Sequence, residues 1–127
     1  MSTKVGLYEL HEEHKVWNNK LDFYKEDIAI LEKRLEELVT KNTDQSIRAE
    51  IEKYQNQFII QKNNIDQIQH IINQDEKEIV KEINDNPVAV DHRKMEDHSK
   101  ERDLVETFEQ KLNGLRADFN SFSAKWM

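Results

Sequence analysis

From Leu7 to Leu38 the chain places apolar or aromatic side chains at alternating intervals of three and four residues. They are Leu7, Leu10, Trp17, Leu21, Tyr24, Ile28, Leu31, Leu35 and Leu38, with His14 at the one missing step. Such spacing is the seam of a heptad repeat, which keeps one stripe of a helix facing a partner helix. Glycine and proline are too scarce to break long elements: two glycines and one proline in 127 residues, against average usage of roughly 7% and 5%.

The pattern recurs twice more. A second seam runs through Ile47, Ile51, Tyr54, Phe58, Gln61, Ile65, Ile68, Ile72, Asp75 and Ile79, with Ile83 near its extension. A third, read upstream from Trp126, passes through Phe122, Phe119, Leu115, Leu112, Phe108 and Val105 and reaches Glu101 and His98. Asn42 can end the first helix, and Thr43 or Asp44 can cap the second. Pro87 ends the second, since it lacks an amide hydrogen and disfavours helical geometry at Asn86. Asp91 is then an N-cap for the third, although a third helix with Pro87 at its first position also fits the signals. The signals predict a single helical domain over residues 1–127, with helices over about residues 7–41, 44–85 and 91–126.

Short connections make successive helices antiparallel. The expected fold is therefore all-α, an up-down-up three-helix bundle with coiled-coil-like packing and a left-handed supercoil. In helix number and length this layout resembles spectrin-type three-helix repeats, a likeness of architecture alone. Gly114 falls inside the third helix at a cost of about 1 kcal/mol relative to alanine, and a close helix approach is the expected reason for it.

Composition narrows function mainly by exclusion. With 36% hydrophobic and 35% charged residues the surface is heavily solvated, and a net charge of −7 opposes binding to a phosphate backbone, so nucleic acid is not an expected partner. The chain has no cysteine, which removes disulfides, thiolate metal sites and thiol nucleophiles. No run approaches the 18 or so apolar residues of a membrane span. The expected setting is cytoplasmic, without a membrane contact. There is no glycine-rich phosphate loop, no hydroxyl beside a positioned base, and the runs "DEKEIVKE" and "DHRKMEDHSKERD" read as solvated mixed-charge faces. Neither an enzyme, a cofactor nor a small-molecule substrate is expected.

Folding the three seams against one another brings polar residues to one level. If the turns lie near residues 43 and 88, facing residue numbers sum to about 87 between the first two helices and about 176 between the second and third. His14, Asp75 and Glu101 then meet within about one turn, with His98 roughly one turn further along. One reading makes His14, Asp75, His98 and Glu101 the ligands of a divalent metal, as in bundle-core sites. The other makes them a hydrogen-bonded layer that sets register. The segment "HEEH" itself is not a zincin motif, because its histidines stand one residue too close. Within it Glu12 and Glu13 are expected to face solvent, and His11, like His70, to flank the seam.

A second apolar stripe lies off the seam. Val16, Phe23 and Ile30 recur every seven residues and are expected to point outward, over a length of about 21 Å. They are either an interface for a protein partner or a second copy, with a symmetric homodimer the default, or core beneath a broad contact with the third helix. The preferred functional expectation is a non-enzymatic structural or adaptor protein. The alternative is a metal-binding or metal-sensing bundle built on the layer around His14.

Overall fold

The computed structural model describes residues 3–85 and 92–127. They form three helices, α1 (Thr3–Lys41), α2 (Gln45–Asp85) and α3 (His92–Trp126), of 39, 41 and 35 residues. The fold is the all-α three-helix bundle that the heptad spacing predicts. α1 begins a turn earlier than expected. The break at Pro87 and the cap at Asp91 lie outside the described residues.

Side-chain contacts give the directions of the helices. Between α1 and α2 they run in opposite senses: Asn18 meets Asn73, Lys25 meets Asp66 and Glu32 meets Lys62. Between α1 and α3 they climb together, from Glu13 with His98 through Tyr24 with Glu109 and Arg34 with Asn120 to Asn42 with Trp126. α1 and α3 are therefore parallel, with α2 antiparallel to both. Tyr54–Phe122 and Phe58–Phe119 ring contacts fall on the register expected for the second pair of helices.

The turn between α1 and α2 is held by its own polar residues. Asp44 Oδ1 accepts from the Ser46 backbone N–H at 2.8 Å and from its hydroxyl at 2.6 Å, capping the otherwise unsatisfied first turn of α2. These bonds favour the carboxylate and lower the Asp44 pKa. Asn42 donates back to the Leu38 carbonyl and across to that of Trp126, which ties the end of α3 to this turn.

Burial follows the three seams. Leu21, Ile28, Leu38, Phe58, Ile65, Ile72, Leu112 and Phe119 are fully buried, and Gln61 is buried within an uninterrupted α2. The core is not continuous. Leu7, Leu10 and Ile79 form a small cluster, separate from the large one that runs from Trp17 and Ile72 to the far end. His14, Asp75, His98 and Glu101 lie between them, all buried. Phe119 is buried, and Phe122 and Trp126 pack on the large cluster, so the C-terminal aromatics belong to the bundle.

One expectation changes. Gly114 serves no close approach: a Cβ placed there meets nothing within 4 Å. It lines a surface groove between α2 and α3, where a methyl group would fit. Ser123, which lies off the seam, is also buried. No helix among the described residues is long and apolar enough to cross a membrane.

Candidate metal centre

Each helix delivers a buried polar side chain to the same level because the heptad seam turns that position inward. α1 supplies His14 between Leu10 and Trp17, α2 supplies Asp75 between Ile72 and Ile79, and α3 supplies His98 and Glu101 one turn apart. One potential ligand atom from each of the four lies within 4.8 Å of all the others. His98 shares this level rather than sitting a turn beyond it: its ring centroid is 5.1 Å from that of His14, and it stacks on Trp17 at 4.6 Å.

Both imidazoles are oriented by carboxylates outside the cluster. His14 Nδ1 lies 2.7 Å from Glu76 Oε1, leaving Nε2 turned inward, 2.7 Å from Glu101 Oε1 and 3.6 Å from Asp75 Oδ2. His98 Nε2 lies 2.7 Å from Glu13 Oε1, which also accepts from Arg102 Nη2 at 2.8 Å. His98 Nδ1 is then the inward nitrogen, 3.9 Å from Glu101 Oε1, buried and without a hydrogen-bond partner among the described residues. For His98, a carboxylate on the outer nitrogen fixes the tautomer that presents a lone pair on the inner one, the usual support of a metal-bound histidine; His14 has the same support on Nδ1 and would offer Nε2 once an ion displaces its proton.

Electrostatics at the layer reflect burial first. Burial pushes the Glu101 carboxyl up to about 7, helped by its hydrogen bond with Asp75 and opposed by His14. For His14, burial favours the neutral ring, but hydrogen bonds to Glu101 and Glu76 outweigh it and raise the pKa. Both nitrogens can donate at once only as imidazolium. Burial lowers the His98 pKa, against the pull of Glu13. Glu13, despite partial burial, is lowered by His98 and Arg102.

These directions predict how the metal-free protein responds to pH. Folded Glu101 keeps its proton between the ordinary carboxylate range and about 7, while the unfolded chain has lost it. Folded His14 likewise stays protonated above 6.5. The folded state therefore holds more protons, and its stability falls as pH rises. His98, being lowered, opposes this only below 6.5. With chelator present, the melting temperature is expected to decline from pH 6.5 through about 7; a rise over that range would contradict the assignment.

The four seam residues singled out from sequence are thus brought together, and His11 adds a bond to Glu76. His70 is exposed. Glu12 is exposed, but the expectation for Glu13 is corrected: it is half-buried and holds His98. Sequence spacing missed Glu13 and Glu76 as orienting groups because both flank the seam, although each directly neighbours one of its polar positions. Asp75 and Glu101 also line a groove of about 530 Å³ between α2 and α3, which opens the layer to solvent on its carboxylate side. Val16, Phe23 and Ile30 are 53%, 61% and 58% exposed and lie outside the core. No known protein family, curated protein or solved structure matches this chain.

Proposed function

We propose that this chain is a metal-binding helical bundle, holding one divalent first-row transition ion between His14 Nε2, His98 Nδ1, Asp75 and Glu101. The observation that carries the reading is the buried Nδ1 of His98, without a hydrogen-bond partner among the described residues and aimed into the cluster while Nε2 is engaged by Glu13. A buried polar atom without a partner is costly, and a metal ion supplies that partner. Two imidazoles and two carboxylates suit Zn²⁺ or Fe²⁺ better than Ca²⁺ or Mg²⁺, which favour all-oxygen shells.

Tetrahedral coordination at about 2.0–2.2 Å puts ligand atoms about 3.3 Å apart. The cluster spans that value, with 2.7 Å between His14 and Glu101 and 3.9 Å between His98 and Glu101. Small side-chain rotations accommodate the ion. Four protein ligands fill the coordination sphere, which suits a structural or sensing site over a catalytic one. The groove beside Asp75 and Glu101 provides the access route.

Elemental analysis of the purified protein, followed by titration of chelator-treated protein with Zn²⁺ and Fe²⁺, tests this. One equivalent is expected to bind, and at a hundredfold excess over Kd the folded state gains about 2.7 kcal/mol, a rise in melting temperature of roughly 10 °C. Absence of retained metal, together with melting curves unmoved by either ion, would sink the reading. The exposed Val16, Phe23 and Ile30 support a second, compatible role as a structural or adaptor protein.

A further inference from the structure

We infer that the outer face of α1 pairs two copies of this chain antiparallel, as a symmetric dimer centred on Phe23. The apolar line is Val16, Phe23 and Ile30, all more than half exposed although large and hydrophobic. In an antiparallel pair Phe23 meets Phe23, and Val16 of one copy meets Ile30 of the other. The interface is then isologous and closed.

Charges beside the line select this orientation. On the heptad wheel one flank carries Glu12, Asn19, Glu26 and Lys33, and the other carries Glu13, Lys20, Asp27 and Arg34. A twofold axis at Phe23 sets each flank against its own copy. Glu12 then faces Lys33 on the first flank, while Glu13 faces Arg34 and Lys20 faces Asp27 on the second. Asn19 lies opposite Glu26 without a clash of charge.

A parallel pair would set the two flanks against each other. It would bring Glu12 beside Glu13, Glu26 beside Asp27 and Lys33 beside Arg34, like charges at three of four levels. Flanking charges of this kind set orientation in paired helices.

The flanks differ in their present engagement. Glu13, Lys20 and Asp27 already hold Arg102, Glu109 and Arg116 of α3, so dimer contacts would extend existing ion pairs into networks. On the first flank Glu12 has, among the described residues, only a 3.7 Å contact with Lys15, both well exposed, and it can turn to Lys33 of the second copy without breaking a buried pair. The metal layer is not required for this interface.

Light scattering on the full chain is expected to give twice the 15.2 kDa chain mass, and Phe23→Glu to give the single-chain mass with unchanged helicity. The chain has no cysteine, which permits a second test. A mixture of Val16→Cys and Ile30→Cys proteins should cross-link on oxidation. Neither should cross-link alone, because like positions lie about 21 Å apart in the antiparallel pair. A monomer at millimolar concentration, a dimer that survives Phe23→Glu, or Val16→Cys cross-linking to itself would each overturn the inference.

Discussion

Replacing the whole polar layer with apolar residues, as His14→Leu, Asp75→Ile, His98→Leu and Glu101→Leu together, is expected to raise stability in chelator by about 1–4 kcal/mol. The same variant should lose every response to added metal. Each of the four side chains is almost fully removed from water, and each ionised group bears a desolvation cost that its partners only partly offset. The apolar versions would join Leu7, Leu10 and Ile79 to the large core cluster, restoring an unbroken heptad seam. Replacing His14 alone should behave oppositely. It would leave Glu101 and Asp75 buried without their cation, a loss of about 3–5 kcal/mol. Denaturant melts of both variants with and without Zn²⁺ read the two effects. A fourfold variant less stable than the chelated wild type would mean that hydrogen bonding in the layer outweighs its desolvation, which favours the register-setting role.

The second large effect is expected at the opposite end. Phe58 is fully buried, packs edge-on against Phe119 at 5.2 Å and stacks with Tyr54 at 6.5 Å. Phe58→Ala removes that volume from between two long helices that cannot close around the gap, at a cost of about 3–5 kcal/mol. For a chain of this size the melting temperature should fall by roughly 10–20 °C. Metal affinity, measured below the melting transition, should be unchanged, because Phe58 stands about 25 Å along α2 from Asp75 and distant sites act independently. A matching loss of affinity would show that the two ends of the bundle are coupled.

Much of this molecule was legible in one dimension. Three uninterrupted runs of three-and-four spacing, with almost no glycine or proline, leave a chain little choice but long helices that share a seam. Those runs located Leu21, Phe58 and Leu112 in the core, and they marked His14, Asp75, His98 and Glu101 as polar intruders at inward positions. Turn positions then set the level at which three of them meet. Even the charge order around Val16, Phe23 and Ile30 is a property of the sequence.

Other features depended on the packed helices. A seam position turns inward in any bundle, but a residue beside the seam reaches inward or outward according to how closely the next helix passes and how far its side chain extends. Glu13 and Glu76 are such residues, with stems long enough to cross to His98 and His14. Periodicity treats them like Glu12, which points to water. The same reasoning applies to Gly114, whose surroundings prove open, and to Phe23, whose exposure depends on α3 passing to one side of it. The sequence by itself determined the helices, their seam and the polar level within it. Only the tertiary structure decided which nitrogen of each histidine faces inward, because that rests on carboxylates brought from neighbouring helices at hydrogen-bond distance.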